Sequence, residues 1–341
     1  MLAQRCFFEE KIMDPVLVEV LRGAMVESSH TGAVAVVDAK GSVVFSAGNI
    51  DTAIYPRSAV KALLALPLVE TGAAARLGLT DAEIALACSS HSGEIIHTQA
   101  AASMLAKAGR DASCLECGTH WPMLDSAAHA LAATGGHPSA LHNNCSGKHS
   151  GFICLACDTG TDPKGYISPD HKTMRQVTAA LAETTSTPLN DRNRATDGCS
   201  IPTYAIPLRA LALAFARFGT GETFSPDRAA AAATIRAAVA ANPMMVAGTG
   251  RFDVKLMTRL GDRIFSKTGA EGVYCVAIPE LGLGLAIKCN DGAGRAAEIA
   301  TAATLTRLLP DTTQTLAPLT HPTLTNWNGI DIGSLRPSSI F

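Results

Sequence analysis

A chain of 341 residues, 47% hydrophobic and 17% charged, is long enough for one large domain or two modest ones and for a sizeable buried core. A formal charge of −2 with no long basic run argues against nucleic acid as the main partner. No uninterrupted apolar run approaches bilayer-spanning length, which argues against a membrane span.

Residues 1–12 place Cys6-Phe7-Phe8 among polar and charged neighbours, with no apolar core and small-residue cleavage site of a secretory signal. They read as a candidate N-terminal tail, and the expected location is cytoplasmic. Residues 15–29 read as an amphipathic helix. Ala33–Val37 and Ser42–Phe45 are β-rich runs joined by Asp38-Ala39-Lys40-Gly41, a hairpin signal. Pro56 then opens a helix carrying Ser58 and Lys61, and Pro67 is expected to end or kink it. Further helices are expected over 98–108, 169–185, 203–218 (closed by Gly219) and 226–241, the last with Ser225 as N-cap and Pro226 at its first position. Strands return over 263–267, 272–278 and 282–289, followed by a helix over 294–309; the Thr- and Pro-rich segment after Pro310 shows no periodicity.

Two β-rich ends flanking a helical middle predict a mixed α/β (α+β) fold. An antiparallel sheet would take strands from both the N- and C-terminal segments, with helices on its faces. The expected organisation is a single domain over 13–335, its sheet-bearing part from 13–70 plus 245–310 and its mostly helical part from 71–244.

The chemistry concentrates in a few stretches. On a helix, positions i and i+3 share a face, so the Ser58 hydroxyl and Lys61 amine can meet. A serine needs a base to become nucleophilic, and a lysine whose pKa is lowered by burial can serve. Cys88–Glu94, Leu141–Gly151 and Arg194–Ser200 are dense in His, Asn, Cys, Ser and Lys. Ten cysteines, several within apolar runs, read as small buried hydrophobes rather than a disulfide framework. The pairs Cys114/Cys117 and Cys154/Cys157 leave a four-cysteine zinc module as an alternative, although their separation is longer than usual.

Lys267-Thr268-Gly269 at the end of a candidate strand, with Ser-x-x-Lys on a helix, resembles two signatures of the serine β-lactamases and penicillin-recognising enzymes. Their Ser-Asp-Asn signature is absent, and Ser90-His91-Ser92 stands in its part of the chain. Arg57-Ser58-x-x-Lys61, Ser89–Gly93, Asn143–His149, Asp197-Gly198-Cys199 and Lys267–Gly269 together resemble the thermolabile, rhizobial-type (class 3) L-asparaginases. The resemblance covers the chain from Met13 to about residue 330 and implies a β-lactamase-like fold. It implies Ser58 as nucleophile and Lys61 as base, with Ser90 and Lys267 as a second Ser–Lys pair. It also implies a zinc held by Cys145, Lys148 and Cys199, in a positioning rather than chemical role, and a homodimer. Lysine is an unusual zinc ligand because it must be neutral to donate its lone pair.

The substrate so implied is L-asparagine. Arg57 is the nearest cationic candidate for its α-carboxylate, Asp197 a candidate for its α-ammonium, and His149 a donor or acceptor toward the substrate or a zinc-bound water. Glutaminase, β-lactam or peptide hydrolase, and a zinc- or thiol-based binding protein are the alternatives.

Overall fold

Alternating Val16, Val18 and Val20 favour extended backbone, and the chain forms two long paired strands before its first helix. In this computed structural model, which describes residues 13–341, β1 spans Val16–Arg22, β2 Met25–Asp38 and β3 Val43–Ala47. The candidate tail, 1–12, lies outside the described residues. The last third adds β4 (Phe265–Gly269), β5 (Val273–Ile278), β6 (Leu283–Cys289), β7 (Thr323–Thr325) and β8 (Asp331–Pro337). These form one antiparallel sheet in the order β7-β8-β1-β2-β6-β5-β4, with β3 also pairing β2. The mixed α/β class, with an antiparallel sheet drawing on both ends of the chain, is therefore borne out.

The helix expected over 15–29 is instead the β1–β2 hairpin. A short apolar run such as Val16–Leu21 suits either period, and pairing on both edges of β1 decides the outcome. The segment after Pro310 is ordered by the same partner. It forms a helix over Thr313–Thr320 and then β7 and β8, with Val18 opposite Pro337 and Arg22 opposite Gly333.

The principal helices are α1 (Lys61–Glu70), α2 (Asp81–Ala87), α3 (Ile95–Lys107), α4 (Ser146–Asp158), α5 (Lys172–Thr185), α6 (Leu208–Thr220), α7 (Pro226–Ala241), α8 (Phe252–Leu260) and α9 (Gly294–Leu308). Helix α7 has its expected cap, the Ser225 side chain accepting from the Arg228 N–H. Helix α1 runs through Pro67 to Glu70, so the proline costs a backbone bond without ending the helix. Helix α6 starts later than expected because 202–204 and 206–207 are taken into short ribbons, and it ends at Gly221, not Gly219.

Every residue of β5 is buried, which requires both faces of the sheet to be covered. Helices α6 and α9 pack against it. Helix α6 lies so close to β6 that a Cβ at Gly284 would stand 1.9 Å from the Ala212 carbonyl oxygen. At the edge, β4 meets the turn that precedes α1: a Cβ at Gly269 would lie 2.5 Å from the Pro56 carbonyl oxygen. That contact sets the serine turn beside the lysine strand. No helix among the described residues is long and apolar enough to cross a membrane.

Candidate active site

Arg57–Val60 forms a 3-10 turn that runs directly into α1. Ser58 on this turn and Lys61 one turn later both line a narrow cleft of about 470 Å³, its open mouth included. Arg57, Lys148 and Asp197 share the cleft, and Met174, Leu181 and Tyr204 supply apolar walls. Ser58 is half-buried; it makes no side-chain hydrogen bond to Lys61, whose amine points to deeper partners.

Lys61 is buried, and its Nζ donates to the Ser89 carbonyl (2.5 Å), Ser90 Oγ (2.9 Å) and Cys145 Sγ (3.1 Å). Burial lowers its pKa, and the neighbouring Cys145 only partly opposes this. Lys267, on β4, donates from Nζ to the same Ser90 Oγ (2.9 Å) and to the Thr268 carbonyl (2.8 Å). Its pKa is lowered to about 7, first by burial, with Asp253 opposing and Lys61 adding to the shift. Two buried amines therefore converge on one hydroxyl, and a proton on Lys61 disfavours one on Lys267. Ser90 and Lys267 sit behind the cleft wall rather than on it.

The thiols form an adjoining cluster. Cys145, at the N-cap of α4, has its pKa held far below the ordinary thiol value by the adjacent Cys199, then by Lys148 and Lys61, against the effect of burial. Lys148 Nζ donates to Cys199 Sγ at 2.8 Å. Burial pushes Lys148 down, but Cys145 and Cys199 outweigh it and hold the amine above its ordinary pKa. No group of three His, Cys, Asp or Glu side chains able to hold a metal occurs among the described residues. A metal here would need the lysine nitrogen. The three donors do converge, and a thiolate-rich pair suits a soft ion, so the residues fit zinc provided Lys148 gives up its proton. Cys117 and Cys154 bond backbone carbonyls instead, and burial pushes each up to about 12.

Asp197 joins this cluster to the cleft mouth. Its Oδ2 accepts from Cys199 (3.3 Å), and its Oδ1 accepts from Arg57. Burial raises the Asp197 pKa, but Lys148 and Arg57 outweigh it and keep the carboxyl ionised. Arg57 has a φ of 52° and Ser200 a φ of 76°, left-handed conformations that cost a non-glycine residue of order 1 kcal/mol and cluster where function holds them.

His149 lies apart from these contacts. The Tyr166 hydroxyl accepts from the Glu116 N–H (2.9 Å) and shares a hydrogen bond with His149 Nδ1 (2.6 Å). His149 Nε2 is buried with no hydrogen-bond partner among the described residues. Burial, with Lys148 and Lys61, keeps the imidazole well below its ordinary pKa.

Several contributors escape sequence reasoning. Tyr166 carried no local signal. Asp253, on α8, accepts from the Thr268 N–H (2.8 Å) and so anchors the Lys267 strand. Asn143 lies inside a quoted run, and its Oδ1 accepts from the Cys145 N–H (2.8 Å) while its Nδ2 donates to the Cys117 carbonyl (2.9 Å).

Buried amines meeting a serine hydroxyl beside a cleft that opens at a sheet edge suit an amidohydrolase. The L-asparaginase II family model matches residues 18–337, and the chain belongs to that family of amidohydrolases. Among solved structures, a β-lactamase from Mycobacterium bovis is 13% identical, with a TM-score of 0.40 over 81% of this chain and 94% of that one. The protein called Mglu is 14% identical, with a TM-score of 0.39 over 87% and 71% of the two chains; in its glutamate form it is again 14% identical, with a TM-score of 0.39 over 87% and 65%. Among curated proteins, no relative matches the chain.

Proposed function

We propose that the chain hydrolyses the side-chain amide of L-asparagine, giving L-aspartate and ammonia, through Ser58. The observation that carries this reading is Lys61: a buried amine with a lowered pKa that shares the cleft with Ser58 and bonds Ser90 behind it. Neutral Lys61 takes the Ser58 proton as Oγ attacks the amide carbon. The oxyanion forms beside the first N–H groups of the turn leading into α1, which such a start leaves free to donate. The C–N bond breaks as the nitrogen takes that proton from Lys61, which Ser90 and Lys267 hold in place from behind, and leaves as ammonia. Water then adds to the Ser58 ester; the ester C–O bond breaks and aspartate is released with Ser58 restored.

The free amino acid brings an α-carboxylate and an α-ammonium. Arg57 and Asp197 pair with each other at the cleft mouth and would exchange that contact for the substrate's two charges. His149, kept neutral by burial and off the cleft lining, acts by hydrogen bonding rather than as a base. Cys145, Lys148 and Cys199 would hold zinc, which when bound supplies charge that balances the thiolates and joins the Cys199 loop to α4. We further propose a cytoplasmic homodimer that acts on the free amino acid, with no nucleic acid or membrane partner.

The test is ammonia release from asparagine and from glutamine, repeated with Ser58→Ala and after chelation. Full activity in Ser58→Ala would overturn the mechanism. If Cys145→Ala abolished function while Ser58→Ala was tolerated, the zinc- or thiol-binding alternative would stand. Hydrolysis of a chromogenic cephalosporin without ammonia release would favour the β-lactam alternative. The preference for asparagine over glutamine rests on one methylene, worth about 1–3 kcal/mol.

A further inference from the structure

A second cavity, of about 670 Å³ with its open mouth included, lies between α8 and α9, away from the cleft. Arg251, Lys255 and Arg295 line it, with Glu298 among them. None of the three cations has a carboxylate partner among the described residues, whereas Arg22, Arg57, Arg76 and Arg263 each meet one. Arg295 Nε donates to His30 Nε2, at 3.1 Å. Glu298 does not neutralise the group as an ordinary glutamate would: burial, then Asp253, push its pKa up to about 7. The remaining wall is apolar, including Phe252, Leu319 and Pro322.

Cations without carboxylate partners and apolar side chains lining one cavity suit a ligand with an anionic end and an apolar end. We propose that this cavity binds a small organic anion, a carboxylate or phosphomonoester on a compact apolar body. Its charge would sit between Arg251, Lys255 and Arg295, and its body against Phe252, Leu319 and Pro322. Bound there, it would bridge α8 to α9. Nothing in this assignment depends on the reaction proposed for the cleft.

Isothermal titration of the full chain with phenyl phosphate, benzoate and neutral benzamide tests it. At least one anion should bind with a submillimolar Kd and benzamide at least tenfold more weakly. Tighter binding of phenyl phosphate assigns the phosphomonoester, and tighter binding of benzoate the carboxylate. Lys255→Glu, at an exposed position, and Arg251→Met should each weaken the preferred anion at least tenfold. The proposal is overturned if neither anion binds by about 10 mM, if benzamide binds equally well, or if Lys255→Glu keeps the wild-type affinity.

Discussion

Replacing Lys267 by methionine removes a buried amine while keeping the length of the side chain. In the native protein this amine has a pKa of about 7 against an ordinary 10.5, chiefly because of burial. Between those values the unfolded chain binds a proton that the native state lacks, so unfolding free energy rises with pH. Each pH unit across that window is worth about 1.4 kcal/mol, and the interval from pH 7 to 9 about 2–3 kcal/mol. Lys267→Met lacks the group and loses this rise, along with the bonds to Ser90 Oγ and the Thr268 carbonyl. Urea unfolding followed by circular dichroism at pH 7, 8 and 9 reads both slopes, and subtracting the variant's from the wild type's removes contributions common to both. Parallel slopes would refute the claim that Lys267 is neutral at the upper end of this range.

Asp253→Asn keeps an acceptor for the Thr268 N–H but removes a charge that holds the Lys267 pKa up; Cys145 acts with Asp253, and Lys61 and Arg251 act against it. The low-pH limb of ammonia release should move down by about one unit, and an unmoved limb would remove Asp253 from the account. Asp197→Asn should raise KM for asparagine about tenfold or more with a smaller change in kcat; unchanged KM would end its role toward the α-ammonium. Elemental analysis should find zinc in the wild-type protein and little in Cys199→Ser, with chelation lowering the wild-type Tm. Zinc-free wild-type protein that melts identically with and without chelator would count against the site.

The strands over 33–37, 272–278 and 282–289 and the capped helix at Pro226 were legible because each carries its own pattern: alternation or an apolar run between turn residues, or a serine followed by proline. The β1–β2 hairpin was not, because the apolar run of β1 suits either period and pairing on both its edges decides; β8 was not, because its partner β1 lies more than 300 residues away. The candidate site divides in the same way. Ser58 and Lys61 share a turn, so their common cleft follows from helix geometry. Lys61 reaching past Ser58 to Ser90 depends on where the 88–94 loop is held, by backbone bonds from Ser90 to Val246 and from His91 to Asn144. Such contacts between distant segments leave no periodic trace in either one.

The pairing of β1 with β8 bears on how the molecule is made. Residues 18–22 have no permanent neighbour on one side until residues 333–337 have been synthesised. During translation that edge stands open, a template for any passing extended segment. Completion of the sheet is a late, long-range event, so maturation should be slow and sensitive to chaperone supply. Removing Asp331–Pro337 should leave chains that aggregate even though the cleft residues are all present.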